Sequence, residues 1–147
     1  MRAVQIAEYE QLEAVSGLMS AVFRRSMEDT YGDEGREAFL SEISLSSLQK
    51  RFFDQSTFYL CCQNNEITGI LELENPSHIA FLFVEKEGEG TGKLLCSKLF
   101  DDVKEEYLTV GAFAKAVCFY ERLGFEKVSE ENSSDLMSFT LMAKRLS

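Results

Sequence analysis

Residues 78–100 read HIAFLFVEKEGEGTGKLLCSKLF, and the order of these features decides the fold. An apolar run follows His78, then a loop with Gly88, Gly90 and Gly92, then apolar residues at helical spacing. The apolar run lacks polar alternation, which is the pattern of a strand covered on both faces in the middle of a sheet. A strand that passes through a glycine turn into a helix N-terminus makes an anion site, because the first helical turn leaves its amide donors unpaired. The helix dipole adds partial positive charge at the same point. A phosphate-bearing ligand is the first expectation.

Outward from this unit, periodicity fills in the rest. Upstream, residues 3–6 form a short strand candidate. Leu12, Val15, Leu18, Met19, Val22 and Phe23 predict a helix from Tyr9 to about Arg24. After a loop at 26–33, two short helices are expected at 34–43 and 46–54. Residues 57–63 and 67–74 read as strands joined by an Asn64-Asn65 turn, with Ile67, Gly69, Leu71 and Leu73 on one face. Asn75-Pro76-Ser77 ends that hairpin. Downstream, Leu95, Leu99 and Val103 recur at steps of four, and 107–110 is a strand. Residues 114–123 are helical, with Ala116, Tyr120 and Leu123 on one face and Gly124 at the left-handed C-cap. Strands at 125–128 and 136–142 pair at the end. The pattern is one α/β domain over residues 1–147, with an antiparallel start and a β-α-β-α core.

Composition narrows the function. With 45% hydrophobic and 27% charged residues the chain is ordinary globular material. Its net charge of -10 argues against nonspecific nucleic-acid binding, which needs a basic surface. Cys61, Cys62, Cys96 and Cys118 form no CxxC pair, and His78 is the one histidine, so no metal site is expected. Cys61 and Cys62 are adjacent in a strand pattern and should point to opposite faces as reduced thiols. No signal peptide and no apolar run near ~20 residues is read, so a cytoplasmic chain without membrane partners is expected.

Two familiar phosphate motifs fail here. Gly92-Lys93 would end a Walker A loop, but Glu87 stands at its first glycine and Leu94 at its Ser/Thr. A dinucleotide G-x-G-x-x-G from Gly88 would need glycine at Lys93. Instead EGEGTGKLLC (87–96) resembles the acyl-CoA pyrophosphate loop of the GNAT N-acetyltransferase superfamily, [QR]-x-x-G-x-[GA] opening a helix. Glu87 takes the Gln/Arg position, Gly90 the first required glycine and Gly92 the last. LTVGAFAKAVCFYERLGF (108–125) is similar, without a gap, to the family's second signature, which ends F-Y-x-x-L-G-F. Two departures stand out. Glu87 and Glu89 set negative charge beside a diphosphate, and Gly111 stands where many relatives carry Asn.

The resemblance implies the GNAT fold, a central mixed and mostly antiparallel sheet of about seven strands flanked by helices. It implies transfer of an acetyl group from acetyl-CoA, with no metal, to a primary amine of a small molecule or peptide by direct attack in a ternary complex. The backbone around Leu82, Phe83 and Val84 would pair with the pantetheine arm. Glu87, Gly88, Glu89, Gly90, Thr91, Gly92 and Lys93 would hold the diphosphate through their amides, and Gly111 and Phe119 would complete the coenzyme site. Tyr120 matches the family's tyrosine that donates to the leaving sulfur; a core tyrosine on the helix face with Ala116 and Leu123 is the competing reading. His78 is placed like the catalytic Glu of histone-acetylating relatives, and a histidine's ordinary pKa of about 6.5 suits a base. A strand-end histidine bonded to a nearby carbonyl is the other reading. Glu72 and Glu74 are rival bases acting through water, or solvated strand residues. The acceptor site falls in the variable helices at 22–53, whose acids Glu28, Asp29, Asp33 and Glu34 could attract a cationic amine. A homodimer is a further family expectation. A non-catalytic CoA-sensing or protein-interaction domain on the same fold is the competing function.

Overall fold

The computed structural model describes residues 2–26, 31–128, 132–133 and 138–146. Strand β1 (Arg2–Ile6) and a 3-10 turn (Tyr9–Gln11) lead into α1 (Leu12–Ser26), α2 (Asp33–Glu42) and α3 (Leu45–Asp54). Strands β2 (Ser56–Gln63), β3 (Glu66–Glu74) and β4 (His78–Val84) follow, then α4 (Thr91–Asp102) and β5 (Tyr107–Ala112). A 3-10 turn (Ala114–Ala116) opens into α5 (Val117–Arg122), and β6 (Glu126–Lys127), β7 (Asn132–Ser133) and β8 (Ser138–Arg145) finish the chain. The sheet runs β1-β2-β3-β4-β5-β8-β6, with the two-residue β7 paired to β8 off that path. Only β4 and β5 pair in parallel among the described strands. That is the mixed, mostly antiparallel sheet expected.

Helices cover both faces. Leu12, Val15, Met19 and Phe23 of α1, Phe39 of α2 and Leu48 of α3 pack with Phe58, Leu60, Ile70 and Phe83 on one face. Leu95, Cys96 and Leu99 of α4 and Tyr120 of α5 pack with Tyr59, Cys61, Leu71, Leu73, Ile79, Leu108, Val110 and Met142 on the other. Asn64 and Asn65 take φ of 54° and 66°, the left-handed pair that a two-residue hairpin turn requires. Gly124 closes α5 at φ 98°. Cys61 and Cys62 do fall on opposite faces, and all four thiols are free.

Two bulges redirect side chains that simple alternation misplaces. Cys61 pairs Gly69 and Cys62 pairs Ile67, so Thr68 is the extra residue on β3. It turns Ile67 to the face of α1–α3, opposite Leu71 and Leu73, which corrects the single-face reading. Glu72 pairs Phe81 and Leu73 pairs Ile79, which leaves Ala80 as the extra residue on β4. That second bulge shapes the site. Leu136, the first residue of the last predicted strand, and the acids Glu28 and Asp29 lie outside the described residues. The paired strand itself runs from Ser138 to Arg145.

Candidate active site

The site begins where the sheet opens. Strands β4 and β5 pair only at His78 with Thr109 and Ile79 with Val110. Past the Ala80 bulge the strands part, and residues 80–84 have no partner on the β5 side among the described residues. An interior strand segment thus offers backbone donors and acceptors to a ligand, as a sheet edge would. Rings fill one side of the gap: Phe39 lies 5.5 Å from Phe81, 6.0 Å from Phe83 and 6.1 Å from Phe113.

On the α4 side, the predicted coenzyme residues come together. Gly88 and Gly90 take φ of 81° and 78°, where an L side chain is strained, and Gly90 is the N-cap of α4. No side chain caps this helix, so its first-turn amides remain for an anion. A Cβ on Gly92 would come 3.1 Å from Phe119 Cζ and 3.7 Å from Leu82 Cδ2. Glycine therefore lets α5 close on the first turn of α4. The Phe119 and Tyr120 rings meet edge to face at 5.1 Å. Leu82, Gly92, Phe119 and Tyr120 form one group. Thr91 is buried at the foot of α4, whereas Glu87, Glu89 and Lys93 are exposed. Phe83 and Val84 pair with Ile70 and Gly69 of β3 and lie in the stretch of β4 without a β5 partner.

Tyr120 is 4% exposed, and burial raises its pKa above the ordinary phenol range, with Cys96 adding to the shift. Among the described residues no fully buried side-chain oxygen or nitrogen lacks a partner, and the Tyr120 hydroxyl has no hydrogen bond to the protein. His78 lies apart, at the paired end of β4 and on the opposite face from Ile79. Its Nδ1 stands 2.8 Å from Thr109 Oγ1, which fixes the ring and leaves Nε2 for other work. Gly111 is not open to a ligand on its Cα side: a Cβ there would meet Phe139 Cδ2 at 3.0 Å. Glycine at that position makes room for Phe139 of β8.

Glu72 corrects the reading of a solvated strand residue. It is fully buried, with Arg51 Nε 2.7 Å from Oε2, Arg51 Nη2 3.1 Å from Oε1 and Ser56 Oγ 2.7 Å from Oε2. A buried carboxylate held by a two-pronged guanidinium and a hydroxyl is a structural anion, tied to α3 and β2 rather than open to water. Glu74 is half-buried beside His78 across the β3–β4 ladder.

Cations that motif reading did not connect to the site come from distant elements. Arg2 Nη1 donates to the Glu89 carbonyl at 2.5 Å and to Thr91 Oγ1 at 3.2 Å. Arg25, at the end of α1, donates to the carbonyl of Glu85 just past β4. Lys115 Nζ donates to the Ser26 carbonyl at 3.4 Å, so the end of α1 is tied to both sides of the opening. No local pattern marks these residues, because each reaches the site through tertiary packing.

The family described as "Acetyltransferase (GNAT) domain" matches residues 27–146. Among curated proteins, none matches the sequence. Similar solved structures include a GCN5-related N-acetyltransferase from Rhodopseudomonas palustris, 19% identical with TM-score 0.85, over 99% of this chain and 96% of that one. A PaiA N-acetyltransferase from Thermoplasma acidophilum, in complex with coenzyme A, is 16% identical with TM-score 0.83, over 99% of each chain. A probable acetyltransferase from Staphylococcus epidermidis is 16% identical with TM-score 0.79, over the whole of both chains. At these identities the likeness is one of fold.

Proposed function

The chain belongs to the GNAT acetyltransferase family, and from that premise we propose that it moves the acetyl group of acetyl-CoA to a primary amine of a small molecule or peptide. The observation that carries this reading is the opening between β4 and β5. It leads from the stretch of β4 at 80–84 that lacks a β5 partner to the uncapped glycine N-terminus of α4, with Tyr120 beside the path. The chain's groups suit acetyl-CoA in order. Amides of Gly88 to Lys93 face the diphosphate, the Leu82–Val84 backbone pairs with the pantetheine amides, and Leu82 and Phe119 flank the arm. A β4 N–H at the thioester oxygen supports developing charge; one such donor contributes about 3 kcal/mol in well-studied cases.

In the transfer the amine nitrogen bonds to the carbonyl carbon and the carbon–sulfur bond breaks. Tyr120 gives its proton to the departing sulfur. His78 Nε2, reached through water, takes the proton that the amine sheds. The two groups belong to opposite faces of the sheet, which suits a nucleophile entering on one side and a leaving group departing on the other. The acceptor site is bounded by α1–α3, with Asp33 and Glu34 exposed at the start of α2.

Calorimetry with acetyl-CoA tests the coenzyme, and thiol release tests the transfer. Polyamines, amino acids, aminoglycosides and peptides with free N-termini form the acceptor panel. Saturable binding and thiol release with at least one amine class are expected. No binding at millimolar acetyl-CoA overturns the reading; binding without thiol release on any amine favours a coenzyme sensor.

A further inference from the structure

Resting on the coenzyme reading above, we propose that Arg2 is the positioning cation of the diphosphate loop and fills the role that Glu87 leaves vacant. The loop carries Glu87 and Glu89 on the approach to an anion, and the Gly90 N-cap adds no side chain. Arg2 belongs to β1, the edge strand, far from the loop in sequence. Its Nη1 holds the Glu89 carbonyl at 2.5 Å and Thr91 Oγ1 at 3.2 Å, so it grips the residues on both sides of Gly90. A Cβ on Gly90 would be 3.8 Å from Nη2 and 4.0 Å from Nη1, so the guanidinium lies along the bare N-cap.

Two consequences follow from this placement. Holding the Glu89 carbonyl turns that oxygen toward the guanidinium, away from the incoming phosphates, while the left-handed turn aims the next amides at them. The guanidinium also sets a permanent positive charge within a few ångströms of an anion site flanked by two exposed carboxylates. A cation at a helix N-terminus opposes the dipole. The arrangement therefore makes little sense for stability alone and good sense for a diphosphate. Arginine suits the task because Nη1 alone meets the carbonyl and the hydroxyl, while the planar group extends Nη2 along Gly90 toward the diphosphate.

The test compares the full chain with Arg2→Gln and Arg2→Lys by calorimetry with acetyl-CoA at several ionic strengths, alongside unliganded melting curves. Arg2→Gln should weaken acetyl-CoA binding about tenfold and flatten its salt dependence, because one screened charge is gone. Arg2→Lys should keep the salt dependence and lose about threefold, since it keeps the charge and not the fork. Unliganded melting should fall only slightly in both, since the lost hydrogen bonds are partly offset by relief of a cation at the helix N-terminus. Wild-type affinity and salt dependence in Arg2→Gln would overturn the proposal, as would a loss matched by a lower unliganded melting temperature and no rescue by Lys. Failure of the wild-type chain to bind would instead overturn the coenzyme reading, and the role of Arg2 with it.

Discussion

Burial gives Tyr120 the character its proposed role needs. The raised phenol pKa keeps the proton on oxygen across the physiological range, so the group is always charged with the proton it must give. A thiolate leaving into the same apolar pocket also has its pKa raised, and this brings donor and acceptor closer together. Tyr120→Phe should lower kcat about a hundredfold, within the range of general acid catalysis, and leave the acetyl-CoA Kd within about twofold. Steady-state kinetics beside calorimetry checks both. An alkaline fall in rate below pH ~10 would point to a group other than Tyr120, because its ionisation lies above the ordinary tyrosine value. His78 has the opposite role. Its ring is the proposed proton acceptor and makes no coenzyme contact, so His78→Ala should lower kcat about tenfold or more while leaving the acetyl-CoA Kd within about twofold. Thr109→Val removes the partner 2.8 Å from Nδ1 and should lower kcat by less than His78→Ala, since the ring stays and only its orientation is freed. Equal kcat in all three proteins would remove His78 from the mechanism.

Among the elements, the α3–β3 contact shows how the acceptor-side helices are fixed. Arg51 joins Glu72 of β3, the Glu42 carbonyl at the end of α2 at 2.8 Å, and the Phe81 ring at 5.8 Å. Removing one partner of a buried pair strands the other, so Glu72→Leu should cost about 3–5 kcal/mol in urea unfolding. Glu72→Leu with Arg51→Leu should recover much of that loss, since an apolar pair of similar volume is often neutral. Additivity, with the double variant losing the sum of what Glu72→Leu and Arg51→Leu lose singly, would show that the pair contributes nothing beyond its separate side chains. This pair also marks where sequence reading stops. Helix and strand positions, the Asn64-Asn65 turn and the glycine N-terminus are local, set by periodicity and backbone preference, and they were legible. Phe119 and Tyr120 were joined to the site of Leu82 and Gly92 only by the family resemblance of the second signature, since no local pattern links residues so far apart. Ile67 was misplaced because a single inserted residue, Thr68, reverses the alternation after it. Glu72 looked solvated because its partners lie 21 and 16 residues away and only the fold brings them together. Arg2, 87 residues from the loop carbonyl it holds, was invisible on the same grounds.

For the whole molecule, the resolved pKa shifts have a common direction apart from one carboxylate. Asp102 is lowered: burial pushes against it, but hydrogen bonds from Lys98 and Tyr59 prevail. Burial raises the thiols of Cys62 and Cys96 and the phenols of Tyr31, Tyr59 and Tyr120. These acids are neutral when protonated, so the fold favours the protonated forms and resists added negative charge. The chain already carries a net charge of -10, and alkaline titration adds to the same repulsion. Cys96, wholly buried under α4, is pushed up to about 12 from an ordinary value of 9.0. Between those values the folded state holds the proton that the unfolded state has lost. The contribution is therefore complete below pH ~9 and declines as pH rises toward ~12, for a total of about 4 kcal/mol. Half of it, about 2 kcal/mol, should be gone at pH ~10.5. Cys96→Ala removes the titrating thiol. It should start less stable at pH 7, where a small cavity costs about 1 kcal/mol, yet lose about 2 kcal/mol less than wild type between pH 7 and ~10.5. Tyr59, raised to about 12 by burial and then by Asp102, remains in both proteins and leaves both with a residual alkaline decline. Urea midpoints at the two pH values decide the matter: parallel declines would mean that the Cys96 proton is not what the fold protects.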